Sequence, residues 1–222
     1  MKKGLTLVEL IAVLTILAII ALIITPNILV SIKDYEKQSY DTEIQAIADA
    51  AKNWATDHID EIPVPTGASK MGLYVPLQEL IQNGYFQEKV ADPKNGGKFD
   101  DSKHETFVII VTELLKDEFG VKRDNYRYTY EAYTSQKEYI EKTVLKYAND
   151  KKLTTIDSST GTVNVTGEQL ISEKYVPTIT YIYNTNKQQF KPITSSSSYT
   201  LKIKRTGRSE ETYEYEYSVT IN

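Results

Sequence analysis

The chain has 222 residues, of which 26 are basic and 30 acidic, and a formal net charge of −4. This acidic balance argues against general electrostatic capture of nucleic acid, which requires a basic surface. The sequence contains no cysteine. Disulfides, thiol nucleophiles and zinc–thiolate sites are therefore excluded, and any exported domain must be stable without cross-links.

The first predicted element is a helix formed by the apolar run 5–24, which contains one carboxylate, Glu9. A run of this length extends about 30 Å as a helix, enough to cross the hydrocarbon core of a bilayer. A carboxylate there costs about 2.5–3.5 kcal/mol on insertion scales, so Glu9 requires a partner or a function. Lysines precede the run at positions 2 and 3, and the next charge is Lys33. The positive-inside rule therefore predicts a cytoplasmic N-terminus and an extracytoplasmic chain after Pro26.

Gly4, the apolar run that starts at Leu5 and the early carboxylate Glu9 occur together in this segment. The segment 2–11 resembles the class III signal of type IV pilins and pseudopilins. This resemblance implies that a membrane peptidase and N-methyltransferase cleaves between Gly4 and Leu5 and methylates the new amine of Leu5. It also implies that Glu9, at the fifth mature position, pairs with the N-terminus of a neighbouring subunit in a filament. The family most often has Phe where this chain has Leu5.

The resemblance also implies partners and a location. The expected partners are the prepilin peptidase and N-methyltransferase, other pilin subunits in a homo- or hetero-polymer, and membrane lipid before assembly. The expected location is the plasma membrane, with a single pass and an extracytoplasmic C-terminal region, and later a cell-surface filament. Pro26 is expected to be a helix break that loosens the helix during assembly. Richness in Lys, Asn, Ile, Thr and Tyr favours a Gram-positive source.

Two other interpretations explain the N-terminal segment less completely than the pilin signal does. A secretory signal peptide has a shorter apolar core followed by a small-residue cleavage site, and the residues around Pro26 provide no such site. An ordinary membrane anchor explains the length of the run and the lysines, but not Glu9. Only the pilin signal uses Gly4 and Glu9 together, so the sequence favours it.

The helix is predicted to continue beyond the apolar run to His58. A second apolar stripe, at positions 44, 47, 48, 51, 54 and 55, recurs at helical spacing and is suited to packing under a globular domain. The first half of the helix lacks such a partner and must be buried in the membrane and then against other subunits. Prolines at 63 and 65 are expected to end the helix.

The remainder of the chain contains an internal repeat. Five landmarks recur in order at offsets of 87 to 93 residues: 53–57 matches 146–150, 80–86 matches 170–176, 98–99 matches 189–190, 107–109 matches 199–201, and 126–130 matches 213–217. A shared order at near-constant spacing favours tandem duplication over a generic alternation of helices and strands.

Each repeat is predicted to contain a helix, a short helix and three strands. The second long helix should begin at the capping-box pattern Ser135-x-x-Glu138, and the second short helix at Thr166-x-x-Gln169. The first short helix is expected at 76–83. Strands are expected near Phe99 and at 107–111, 126–133, 178–183, 199–204 and 211–221.

The predicted fold class is therefore α+β. A long N-terminal transmembrane helix is followed by two tandem pilin-like lobes, each a helix packed on a small antiparallel sheet. The predicted boundaries are a leader at 1–4, a transmembrane and filament-core helix at 5–26, a helix continuation with the first lobe at 27–134, and the second lobe at 135–222. In this interpretation the second lobe is attached to the membrane only through the first.

Few residues are candidates for catalysis or metal binding. His58 ends a helix and His104 lies in a charged loop, so both are expected to be solvated and to form neither a triad nor a zinc site. The loop 92–97 with the acidic pair at 100 and 101 offers oxygen ligands, but it lacks EF-hand spacing, and an ordinary turn is preferred. We predict no catalytic residue, no metal and no cofactor, and no specific nucleic-acid partner.

Tyrosine is abundant, with 17 residues against five Phe. We expect these rings to cover the core of small sheets, although a contact surface for glycans or partner subunits is the alternative. The leading function is a structural, non-enzymatic subunit of a type IV pilus or related pseudopilus. The alternative is a minor pilin whose duplicated outer lobe is an adhesive or binding module. A tethered enzyme or receptor is disfavoured because no site supports it.

Overall fold

The computed structural model describes residues 7–65, 70–87, 106–116, 122–154, 160–181, 190–209 and 212–221. For residues 20–33, 116, 122–124, 207–209 and 212–214 it describes the backbone alone. Helices and strands are both present, which confirms the α+β class. In chain order the elements are α1 (Leu7–Asp57), a 3-10 turn (Ile59–Glu61), β1 (Lys70–Pro76), α2 (Leu77–Gln82), β2 (Phe107–Lys116), β3 (Lys122–Tyr133), α3 (Gln136–Asp150), β4 (Thr160–Thr166), α4 (Gly167–Ser172), β5 (Thr178–Tyr181), β6 (Ser198–Ser209) and β7 (Thr212–Thr220).

Helix α1 is continuous over 51 residues, or about 76 Å. It ends at Asp57, before the prolines at 63 and 65, as predicted. The helix break predicted at Pro26 is not observed, because the backbone is helical on both sides of this position. A proline removes a single backbone hydrogen bond at a cost of about 3 kcal/mol. It therefore weakens one turn, and the helix continues on both sides of it.

None of the helices, as far as the residues are described, combines the length and the apolar character needed to cross a membrane. The transmembrane helix predicted for residues 5–26 is therefore not confirmed and stays a prediction.

The first sheet has the strand order β3-β2-β1-β5. α1 packs on one face of it, where Trp54 joins Val75, Val108 and Ile110 in one buried cluster. β2 pairs antiparallel with β1 and β3. All residues from 107 to 112 in β2 are buried, those facing α1 as well as those on the opposite face. A strand buried on both faces lies inside a layered structure rather than at its surface.

The second sheet has the order β4-β6-β7, and α3 packs against one face. Along β6, Leu201 and Ile203 are buried whereas Lys202 and Lys204 are exposed. This alternation has the period of two that a strand with one solvated face requires. The second sheet is therefore covered on one side only.

The structure corrects the predicted strands in two ways. β1 and β4, which precede the two short helices, are missing from the sequence prediction, and the strand predicted near Phe99 lies outside the described residues. β5 was expected in the second sheet, but it pairs in parallel with β1 of the first. A Cβ atom on Gly72 would lie 2.7 Å from the Ile179 Cδ1 atom and 2.9 Å from the Pro177 Cγ atom. The absence of a side chain at Gly72 is what lets β5 approach this closely.

An aromatic cluster joins the outer face of the first sheet to the second half of the chain. The ring centroid of Phe107 lies 5.6 Å from that of Tyr133 and 5.1 Å from that of Phe190. Tyr74 lies 4.9 Å from Phe190, and Tyr139 of α3 lies 5.1 Å from Tyr133. These rings share one buried core with α3 and the second sheet. The layers are therefore α1, the first sheet, α3 and the second sheet.

The two halves contain corresponding elements in the same order. A strand, a short helix and a long antiparallel hairpin appear as β1, α2 and β2–β3 in the first half and as β4, α4 and β6–β7 in the second. The strand orders β1-β2-β3 and β4-β6-β7 correspond as well. Each short helix begins against its own hairpin: the Leu77 amide donates to the Thr106 carbonyl at 3.0 Å, and the Gly167 amide to the Ser197 carbonyl at 2.7 Å.

The turn after each short helix also recurs. The amide of Tyr85 donates to the Leu80 carbonyl at 2.8 Å, and the amide of Tyr175 donates to the Leu170 carbonyl at 2.8 Å. The preceding residues, Gly84 and Lys174, both have positive φ, at 78° and 64°. The capping box predicted at Thr166 and Gln169 is confirmed.

Candidate assembly surface on the long helix

The predicted site residues lie at the start of the long helix. Gly4 and Leu5 are outside the described residues. Glu9 lies in α1, two residues after the first described residue, Leu7. Pro26 lies within α1, where only the backbone is described.

The two halves of α1 have different surroundings. Near its C-terminal end, Ile47, Ala51 and Trp54 are completely buried under the first sheet. Near its N-terminal end, nine large apolar side chains are 47–75% exposed: Leu7, Val8, Leu10, Ile11, Val13, Leu14, Ile16, Leu17 and Ile19. They point in all directions around the helix, unlike the single apolar stripe of a helix on a globular domain.

Polar groups in this exposed apolar segment are few. The hydroxyl of Thr15 donates to the Ile11 carbonyl at 2.8 Å, so it is satisfied within the helix. Glu9 is the only acidic residue between positions 7 and 19. The segment is thus an apolar rod with one carboxylate near its tip, a chemistry suited to side-by-side packing of helices and to pairing with one cation.

The middle of α1 is tied to α3 by a polar junction. The Tyr40 hydroxyl donates to Glu138 Oε1 at 3.2 Å, and Lys142 Nζ lies 2.9 Å from the same oxygen. Glu138 Oε2 accepts from the Thr134 amide at 2.7 Å and from its hydroxyl at 2.8 Å. Although burial alone would raise the pKa of Glu138, the hydrogen bonds from Thr134 and Lys142 lower it below its ordinary value. The carboxylate is therefore held in its charged form.

One of the two hydrogen bonds of the capping box predicted at Ser135 is confirmed, and the other is not formed. The Ser135 side chain accepts from the Glu138 amide at 3.2 Å, as predicted. The Glu138 carboxylate, however, bonds to Thr134 rather than to the Ser135 amide. Sequence reasoning therefore located the cap but missed its role as a junction between α1 and α3, since Tyr40 is 98 residues away.

His58 is not the solvated surface residue that the sequence predicted. Its ring stacks on Trp54 at a centroid distance of 4.3 Å and an interplanar angle of 5°. Its Nδ1 atom lies 2.9 Å from the Trp54 carbonyl. These contacts make His58 part of the packing at the end of α1. His104 and the acidic loop 92–101 lie outside the described residues. Within the part of the chain that is described, no cluster of His, Asp or Glu could hold a metal ion.

Comparison with known protein families adds evidence on the N-terminal segment. Residues 1–25 match the model of the prokaryotic N-terminal methylation motif. This match confirms the type IV prepilin-like signal, which is the substrate signal of the prepilin peptidase. No curated protein and no solved structure matches the chain. The motif indicates a type IV pilin-like precursor that is exported to the cell surface; the Gram-positive source stays a prediction.

Proposed function

We propose that the mature chain is a structural subunit of a type IV pilus or a related pseudopilus, with no catalytic activity of its own. Cleavage between Gly4 and Leu5 and methylation of the Leu5 amine would prepare it for assembly through α1. One observation carries this proposal: the methylation motif leads directly into a helix whose first turns are apolar and exposed on all sides.

This apolar surface needs a non-aqueous partner at every stage. Burying one Val, Leu or Ile side chain fully is worth about 1.5–3 kcal/mol, so leaving nine such side chains in water is strongly unfavourable. Membrane lipid would cover residues 5–26 after export, and the helices of other subunits, of the same or another kind, would cover them in the filament. Loss of Lys2 and Lys3 with the leader changes the formal net charge from −4 to −6.

Glu9 is proposed to set the position of each subunit against its neighbour. Cleavage creates a positive amine on Leu5, and an ion pair between this amine and Glu9 of the adjacent copy would offset the desolvation of both charges. Glu9→Ala is therefore expected to leave cleavage and membrane insertion intact and to reduce incorporation into filaments about tenfold or more.

Immunoblots of sheared filaments and of membranes measure both quantities. The matched control is Glu36→Ala, which removes one exposed carboxylate from the same helix outside the apolar segment and should assemble normally. Normal processing of Glu9→Ala with wild-type assembly would contradict the role of Glu9, and the chain would then be better interpreted as a tethered two-lobed surface protein.

We further propose that residues 27–134 and 135–222 are two pilin-like lobes that arose by duplication. The corresponding strand orders support this proposal, and so do the matching turns at Tyr85 and Tyr175. A tertiary hydrogen bond is repeated too. The Tyr85 hydroxyl donates to Asp57 at 2.6 Å, and the Tyr175 hydroxyl donates to Asp150 at 3.1 Å. Both bonds connect the turn after the short helix to the end of the long helix of the same lobe.

The alternative function, a minor pilin that binds a surface ligand, is favoured by one specific observation. A groove with charged walls separates the first sheet from α3. Immunogold labelling of surface filaments distinguishes the two roles, because a major pilin labels the whole shaft and a minor pilin labels sparsely or at the tip.

A further inference from the structure

Two long strands form outer edges of the two sheets. β3 ends the order β3-β2-β1-β5, and β7 ends the order β4-β6-β7. Within the part of the chain that is described, neither strand pairs with another strand on its outer side. β3 has 12 residues and β7 has 9, and neither contains a proline. Such an edge presents a row of backbone amide and carbonyl groups to which a further strand can be added.

A row of charges crosses the first sheet and ends at the β3 edge. Lys70, Glu113 and Arg127 lie directly opposite one another on β1, β2 and β3. Lys70 Nζ is 3.7 Å from Glu113 Oε1, and Arg127 at the edge is exposed. The sign alternates along the row, so the row ends at β3 in a positive charge.

The corresponding row of the second sheet ends in the opposite sign. Lys204 of β6 lies directly opposite Glu216 of β7, and both side chains are exposed. This row is on the face turned away from α3, as the row of the first sheet is on the face turned away from α1. If the two edges met in one sheet, five charges of alternating sign would cross it. Neighbouring opposite charges stabilise a pair of strands and specify its register.

Tyrosines favour the same register on the other face of each sheet. An antiparallel pairing with Arg127 opposite Glu216 also aligns four tyrosines that are half-buried at the two edges. The aligned pairs are Tyr126 with Tyr217 and Tyr128 with Tyr215. Each ring has surface left to bury, and aromatic pairs across strands are among the favourable ones.

We propose that β3 of one copy pairs antiparallel with β7 of a second copy, with Arg127 opposite Glu216. Because the two edges differ, every added copy leaves one β3 edge and one β7 edge available, and the association is open-ended. The contact would join the outer domains of neighbouring subunits. Its place in a filament rests on the proposed function, whereas the pairing itself does not require α1.

Cross-linking tests the pairing, because the chain contains no cysteine and thiols can be placed at chosen positions. Asn125 and Ser218 are exposed, and the proposed register places them opposite each other. The full-length precursor with Asn125→Cys and Ser218→Cys, in a neutral detergent, is treated with a short bismaleimide. We expect a ladder of covalent dimers, trimers and larger species, since each copy carries one thiol at each edge. The same ladder is expected when Glu9→Ala is added.

The matched control carries Asn125→Cys with Thr162→Cys. Thr162 is exposed on β4, at the other edge of the second sheet. This variant has the same number of thiols, but its second thiol lies away from the β7 edge. It should therefore give no ladder.

Reversing the charges tests the register. Adding Arg127→Glu to the chain with Asn125→Cys and Ser218→Cys should lower the yield of cross-linked species about tenfold, because two like charges replace an ion pair. Adding Glu216→Arg as well should restore the yield. A gain in the stability of the single chain cannot explain this rescue. Each reversal leaves a like charge opposite it within its own sheet.

The proposal is overturned if the two-thiol chain gives no more ladder than the control, or if the reversals fail to lower and restore the yield. Dimers from Asn125→Cys alone or from Ser218→Cys alone, at a similar yield, would indicate pairing of identical edges and also overturn it. A ladder that disappears with Glu9→Ala would assign the association to α1. Absence of the ladder together with normal filament assembly would overturn the pairing and leave the proposed function intact.

Discussion

The two sheets of this protein are built alike but are buried differently. In the first sheet, β2 is buried on both faces, with α1 on one side and α3 with its aromatic neighbours on the other. In the second sheet, β6 alternates between a buried face and a face with exposed lysines. A lobe at the outer end of the molecule needs a sheet with one solvated face, as the second sheet has. The first sheet has an apolar stretch at 107–111 in β2 that is buried on both faces, and this requires a permanent cover.

The difference shows that the second half of the chain packs against the first sheet and is not a separate lobe. Phe107 of β2, Tyr139 of α3 and Phe190 belong to one core. β5 adds a strand from the second half to the first sheet, with the Thr180 hydroxyl bonded to the Gly72 carbonyl at 3.1 Å. The two halves should therefore unfold as one cooperative unit.

The largest effect is expected from removing the second half. A chain that stops after Thr134 leaves Phe107, Ile109 and Val111 facing water, which should make it aggregate or bind a hydrophobic dye strongly. Solubility and dye fluorescence, each compared with that of the full chain, measure this. A truncated chain that is soluble and unfolds cooperatively would show that the first lobe is self-sufficient.

A smaller effect is expected from single substitutions on the two faces of β2. Phe107→Ala should lower the free energy of unfolding by about 3–5 kcal/mol because it opens a cavity in the aromatic cluster. The control is Val108→Ala on the opposite face, which contacts the α1 side of the core. Both variants should shift the same single transition in urea. Two transitions that respond separately would mean that the halves unfold independently.

The junction at Glu138 predicts a dependence on pH. Because the pKa of Glu138 is lowered in the folded state, its stabilising contribution is complete above the unfolded value of about 4.3 and is lost as the pH falls through the folded value. The destabilisation caused by Glu138→Gln should therefore be larger at pH 7 than at pH 3 in urea titrations.

The matched control for this junction is Glu141→Gln on the same helix. Glu141 makes an exposed pair with Lys137 at 3.7 Å, so its removal should have little effect at either pH. If Glu138→Gln had as little effect as Glu141→Gln, Glu138 would not stabilise the contact between α1 and α3.

The smallest effect tests the resemblance between the halves. Tyr85→Phe and Tyr175→Phe each delete one exposed hydrogen bond to the end of a long helix. Their urea midpoints should fall slightly and by similar amounts. A clear loss in one lobe and none in the other would show that the two contacts are not equivalent.

Local sequence patterns predicted much of the fold. The apolar run with Glu9 predicted the prepilin-like signal, the second apolar stripe predicted where α1 is buried, and Thr166 with Gln169 predicted a confirmed cap. These features depend on residues that lie within a few turns of one another. They can be read from the chain without knowledge of the packing.

Features that depend on distant residues could not be predicted in this way. β4 contains two valines among threonine, glycine and asparagine, and β1 contains Gly72, so both have weak strand signals. The apolar centre of β2 indicated a strand but not what covers each face. The partner of β5 depends on contacts over 100 residues apart.

The central claim is that this chain is processed and assembled as a pilin-like subunit, and the N-terminus of the assembled protein tests it most directly. Mass spectrometry of surface filaments should identify N-methylated Leu5 as the first residue, with residues 1–4 absent. An intact Met1 terminus in assembled filaments, or cleavage near Asn27, would contradict the account.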